Sequence, residues 1–193
     1  KALSDKTRRA ILDLLRENAI DWRDIEEVLV RCPTVTLLLS KPVDELVALI
    51  EEIAASDYLT STALFFNSTY PLAVAIADGE LTEAQFSKER MVDAELRPLF
   101  ERIRFTADPF LDKREMDEGV NAGEVTFRFK DGRSLSRFTE AMRGSYQNPI
   151  DIRDKLYVCT RNILDDAQRQ ELLDTVMGLD ALDDVKELTT LLA

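Results

Sequence analysis

The sequence predicts an α+β fold, and three observations carry that expectation. Val125, Phe127 and Phe129 alternate with Thr126, Arg128 and Lys130 ahead of Asp131-Gly132 and the run "RSLSRFT". That is the pattern of a β-hairpin closed by a type I′ turn. "DIEEVLVRC" reads as a further strand over about residues 25 to 31, because its β-branched residues alternate with charged ones. Around these strands lie segments whose apolar residues recur every three or four positions, the period of helices with one buried face.

Taken in order, "SDKTRRAILDLLREN" opens on Ser4 as N-cap and aligns Ala10, Ile11, Leu14 and Leu15 on one helical face. Pro33 breaks the first strand, and "TVTLLL" at 34 to 39 continues it by propensity. "KPVDELVALIEEIAAS" is a second amphipathic helix with Pro42 near its first turn, burying Val43, Leu46, Leu49, Ile50 and Ile53. In "FNSTYPLAVAIADGELTEAQF" a tyrosine and a proline open a run apolar on every side, the mark of a buried helix. Pro71 places Tyr70 at or near a helix start or a kink, and Asp78-Gly79 stops the helix, with Gly79 able to adopt a left-handed cap. Thr82 and Gln85 have capping-box spacing, with Leu81 set to staple onto Phe86. "DAELRPLFERIRF" reads as another amphipathic helix and "DKREMDEGVNAG" as an exposed loop. Beyond the hairpin, "RGSYQNPID" is a loop whose Asp151 can cap a helix. Residues 152 to 193 hold two or three acidic helices broken near Gly178 and Asp180. The organisation is therefore an α+β domain over 1–145 and a helical tail over 146–193. The tail's apolar stripe (Leu156, Ile163, Leu172, Leu173, Val176, Leu179) needs a surface to cover.

Composition restricts the chemistry. The chain has 193 residues, 45% apolar and 32% charged, with a net charge of −12. Such acidity disfavours nucleic acid as a partner, since phosphate contacts need a basic face. No apolar run approaches the roughly 20 residues that span a bilayer. Cys32 and Cys159 are the two cysteines and there is no histidine, which removes the commonest metal ligand and the commonest base near neutral pH. The expectations are no metal, no cofactor, and two reduced thiols in a cytoplasmic protein. The start at Lys1, without a methionine, reads as a fragment.

Two stretches resemble known families. "KALSDKTRRAILDLLR" resembles the opening of ArsR-type winged-helix repressors. No basic recognition helix follows, however, and residues 1 to 60 carry 12 acidic side chains against eight basic ones. DNA binding is therefore disfavoured. The second resemblance runs further. "STYPLAVAIADGELTEAQF", "DAELRPLFERIRFTADP", "VTFRFKDGRSLSRFTEAMRGSYQNPID" and "DKLYV" follow one another in the order of blocks in the C-terminal part of the MmgE/PrpD family, and "RDIEEVLVRC" is similar to its first strand. That family includes 2-methylcitrate dehydratase, cis-aconitate decarboxylase and iminodisuccinate epimerase.

The resemblance implies an α+β lid whose tail returns to an N-terminal helical domain, with the active site between the two. It implies a lyase or isomerase acting on a small polycarboxylate without cofactor, possible homodimer formation, and no activity for this fragment alone. Tyr70 matches the family's substrate-facing tyrosine, and Lys1 its lysine ahead of the first lid helix. Neither the aromatic-proline pair nor the histidine that accompanies that lysine is present here. Phe66 stands where citrate-type branches carry a histidine, which argues against a strict methylcitrate dehydratase or cis-aconitate decarboxylase and leaves isomerase- or epimerase-like and uncharacterised branches open. Arg143-Gly144 and Asn148-Pro149 match a further family motif and read as turn structure. The other class of function open to the chain is a non-catalytic interaction or regulatory module that uses its tail.

Overall fold

The computed structural model describes residues 14, 15, 17, 20–56, 61–141 and 149–191. Lys1, Ser4, Ala10, Ile11 and the Arg143-Gly144 and Asn148 positions lie outside the described residues. The chain divides into two compact units, residues 1–148 and 149–193.

The first unit is a four-stranded mixed sheet with helices, an α+β arrangement. Its strands are β1 (Ile25–Cys32), β2 (Ile103–Ala107), β3 (Gly123–Phe129) and β4 (Ser134–Thr139), in spatial order β2-β1-β3-β4. β1 runs parallel to β2, with Val28 opposite Ile103, and antiparallel to β3, with Val28 opposite Phe127. Alternation of side chains along a strand assigns one face to the core. Ile25, Val28, Val30 and Cys32 on β1, with Val125, Phe127 and Phe129 on β3, are all buried. The opposite face is polar. There Arg31 bridges Asp108 and Glu124 at 3.0 Å each, and Arg128 pairs with Glu27 at 2.8 Å.

The described helices of this unit are α1 (Thr34–Leu38), α2 (Val43–Ala55), α3 (Thr62–Phe65), α4 (Thr69–Asp78), α5 (Lys88–Met91), α6 (Arg97–Arg102) and α7 (Pro109–Glu118). Leu14 and Leu15 are helical and buried. α2 begins after Pro42 and buries Leu46, Ile50 and Ile53, while Val43 and Leu49, expected with them, are half-buried against the same core.

Three segments depart from the sequence reading. Residues 34 to 38 form α1, not strand: Pro33 is extended (φ −61°, ψ 153°), and Asp112 accepts both the Thr34 N–H and its hydroxyl. A cap supplied from a distant segment overrides the β-propensity of "TVTLLL". "DAELRPLFERIRF" is a 3₁₀ turn and α6 followed by β2, because from Ile103 onward the backbone finds a parallel partner in β1. Of the segment read as a loop, residues 112–118 belong to α7 and 119–122 are loop. Asp108 caps the helix by accepting from Phe110 N, Pro109 fills the first turn, and Gly119 closes it at φ 65°. α7 is polar nearly all round, with Leu111 its buried residue. It shows no apolar period and is instead supported by four-residue ion pairs, Lys113–Asp117 and Arg114–Glu118.

The hairpin stands, but its turn is longer than a type I′ loop. Phe129 and Arg133 close it, and Gly132 at φ 85° donates to the Phe129 carbonyl. A three-residue loop with a left-handed glycine results.

The second unit contains α8 (Ile152–Thr160), α9 (Asp166–Met177) and α10 (Lys186–Leu191), with a 3₁₀ turn at Leu179–Ala181. Asp151 caps α8, as its position suggests, and Asp165 with Gln168 forms a capping box on α9. Leu172 and Leu173 are buried, whereas Ile163, Val176 and Leu179 from the same stripe are exposed. No described helix is long and apolar enough to cross a membrane.

Candidate functional site

The site suggested by sequence is centred on α4, and its backbone entry is built from short polar residues. Asn67 Oδ1 accepts the N–H groups of Thr69 and Tyr70 at 2.8 and 2.9 Å, satisfying two donors that a helix start leaves over. Ser68 Oγ donates to the Thr36 carbonyl at 3.1 Å, and Ser68 N donates to the Leu39 carbonyl. The entry to α4 is thus fastened to the end of α1. Asn67, Ser68, Thr69 and Thr36 are all buried, which is tolerable because each of these polar groups has a partner. Beyond this seam every residue from Leu72 to Ile76 is buried, as an all-round apolar helix requires. Gly79 then ends α4 in the left-handed conformation, φ 69°.

Tyr70 points inward. Its side chain is completely buried in the core cluster, with its ring 5.5 Å from Phe86 and 6.2 Å from Phe100. Phe65 stacks on Phe86 at 3.8 Å, extending the aromatic group toward the surface. The Tyr70 hydroxyl donates to the Gln85 carbonyl at 2.5 Å. Burial raises the phenol well above its ordinary value. The Arg90 charge acts in the opposite direction, and Asp78 adds to the rise. Tyr70 is therefore neutral, and its one hydrogen is already placed.

Gln85 is held in turn. The capping box is present as the sequence indicates: Gln85 Oε1 accepts from Thr82 N at 2.8 Å and from the Thr82 hydroxyl at 2.9 Å. Gln85 Nε2 donates to Asp78 Oδ2 at 3.2 Å. Asp78 also receives a two-pronged contact from Arg90, through Nη2 at 2.5 Å and Nε at 3.2 Å, while Arg90 Nη1 reaches Asp93 at 2.5 Å. The structure thus joins Tyr70, Gln85, Asp78, Arg90 and Asp93 in one hydrogen-bonded chain. Sequence reading singled out Tyr70 and the capping box but missed Arg90 and Asp93. Their three-residue spacing, with Arg90 on α5 and Asp93 just beyond its end, was the available signal.

Lys1, the other sequence-derived candidate, lies outside the described residues. Among the described residues, no three His, Cys, Asp or Glu side chains gather into a metal-binding group.

The described elements follow the order of the quoted blocks: strand, buried tyrosine helix, capped turn, second strand, hairpin and the helix that holds "DKLYV". The family description MmgE/PrpD C-terminal domain matches residues 8–179, most of the chain. The chain belongs to the MmgE/PrpD family. Within this MmgE/PrpD domain the tyrosine block is α4 and its capped exit, and the "VTFRFKDGRSLSRFT" block is the β3–β4 hairpin. A comparison with curated proteins gives no match.

Proposed function

We propose that this MmgE/PrpD domain is the C-terminal part of a cofactor-independent enzyme, a dehydratase, decarboxylase or epimerase, acting on a small polycarboxylate in the cytoplasm. The observation that carries this reading is the family match over residues 8–179, which includes the tyrosine block. The chemistry would be removal of a proton next to a carboxylate, followed by elimination, loss of carbon dioxide or return of the proton. Cationic side chains would bind and polarise the carboxylates. On the family reading, a lysine or histidine on an N-terminal helical domain would carry the proton. Lys1 joins that set by resemblance. A homodimer is part of the same reading.

Tyr70 is the proposed substrate-side residue of this domain, and its geometry sets a condition. Tyr70 is completely buried and a carboxylate only accepts hydrogen bonds, so a substrate can engage it only if the packing around the hydroxyl opens and the hydrogen now given to Gln85 is released. The experiment is to supply the N-terminal region to this chain and follow turnover of candidate polycarboxylates. Activity is expected from the pair and not from this chain alone. A Tyr70→Phe change should lower kcat, and an unchanged kcat would remove Tyr70 from the mechanism.

One observation favours a second reading, an interaction or regulatory module. Ile163, Met177 and Val185 in the second unit are 75%, 62% and 62% exposed, an apolar display suited to a protein partner. Persistent inactivity after the N-terminal region is supplied, with a partner retained through these residues, would favour that reading.

A further inference from the structure

We propose that Arg90 is a positioning residue for Tyr70, acting through Asp78 and Gln85. The functional weight of this inference rests on the reading of Tyr70 as a substrate-side residue, but its geometric content does not.

Arg90 binds Asp78 with both prongs of its guanidinium, and each side chain is only 20% exposed. A fork of this kind fixes orientation as well as distance, and partial burial protects it from the screening that weakens surface pairs. The carboxylate held by Arg90 receives Gln85 Nε2 on Oδ2, the oxygen that also receives Arg90 Nε. The other end of the same amide is fixed by Thr82. With its side chain pinned at both ends, Gln85 has little freedom to turn its backbone, so its carbonyl keeps facing the Tyr70 hydroxyl. The hydrogen of that phenol therefore points where the Arg90–Asp78 pair directs it. In this arrangement the Tyr70 hydroxyl is enclosed and its hydrogen is committed to Gln85. Whether the hydroxyl can turn to an acceptor such as a carboxylate depends on how firmly Gln85 is held. Arg90 would thus govern the availability of Tyr70 without touching a substrate.

The test is spectroscopic and uses the full chain carrying 3-fluorotyrosine in place of its four tyrosines. Loss of one fluorine resonance in Tyr70→Phe assigns the Tyr70 line. In Arg90→Gln that line should shift and broaden while the Tyr157 line, in the other unit, stays in place. Amide exchange over residues 82–86 should become roughly tenfold faster, the scale of one charge-assisted hydrogen bond. Arg90→Lys keeps the charge but not the fork and should restore the line only in part. Should Arg90→Gln fail to fold, Asp78→Asn keeps the side-chain shape, removes the charge and is expected to move the same line. An unmoved Tyr70 line in these variants would overturn the inference and leave Arg90 a plain brace. The two ideas fail separately: an unchanged kcat in Tyr70→Phe sinks the substrate reading, whereas the fluorine line judges Arg90 whether or not turnover is measured.

Discussion

Asp112 receives the Thr34 N–H at 2.6 Å and the Thr34 hydroxyl at 2.8 Å, so one carboxylate from α7 caps the start of α1. The two helices are far apart in sequence, and each was misread from sequence alone: one as strand, the other as loop. Their contact explains why residues 34–38 are helical. Pro33 gives α1 no side-chain cap of its own, and Asp112 supplies what is missing.

Asp112→Ala should therefore destabilise the first unit by about 1–2 kcal/mol, the range measured for losing a helix cap. Chemical denaturation checks the total. Faster amide exchange over residues 34–38, ahead of the rest of the unit, would show that the loss is local to α1. A change of a few tenths of a kcal/mol would mean that water replaces the carboxylate without penalty.

Gly79 and Gly119 close α4 and α7 with φ of 69° and 65°, and no neighbouring atom lies within 4 Å of the position a Cβ would occupy at either. Space is available, so only the backbone conformation resists a side chain. Gly79→Ala and Gly119→Ala should each cost about 1 kcal/mol. The two costs should add in the double variant, since each arises within its own turn. Thermal unfolding of the three variants measures both points.

The two cysteines should behave oppositely. Cys32 is buried on the core face of β1, and desolvation, with the Asp112 charge adding to it, pushes its thiol up to about 12 from an ordinary 9.0. Cys159 is exposed. A thiol reagent at pH 8 should therefore label Cys159 quickly and Cys32 only on unfolding. Because the folded-state value of Cys32 is raised, its contribution to stability is complete below pH 9 and is lost as pH rises toward about 12. Tyr70 shifts in the same direction for the same main cause, burial. Stability measured between pH 9 and 11 should fall less steeply in Cys32→Ala than in the parent chain.

Arg102 ends α6 with its Nη1 buried and without a hydrogen-bond acceptor among the described residues. A guanidinium cannot shed its charge to relieve such a position. Arg102→Met keeps the length of the side chain while removing the unpaired N–H, and should leave stability unchanged or raise it by up to about 1 kcal/mol. A loss of stability instead would show that its positive charge at the end of α6 outweighs the unmet hydrogen bond.

How much could be read in advance depended on the range of the forces involved. α2, α4 with its glycine stop, the Thr82–Gln85 box, β1, the hairpin strands and the α8 cap each rest on residues within a few positions of one another. Their period, caps and turn chemistry are written locally, and with them the α+β class and the family blocks. β2 could not be read this way, because "RIRFTA" becomes a strand only when β1 lies alongside it. α1 depends on a carboxylate from another helix, and α7 carries too little apolar surface to show a period. The site divides along the same line. Sequence placed Tyr70 at or near the start of a buried helix and named it as the residue to examine. Tertiary packing decided that its ring lies in the core and its hydroxyl faces Gln85, and brought Arg90 and Asp78 together behind that carbonyl. A side chain's neighbours along the chain follow from sequence; the direction of its hydrogen is set by atoms that only folding brings within 3 Å of it.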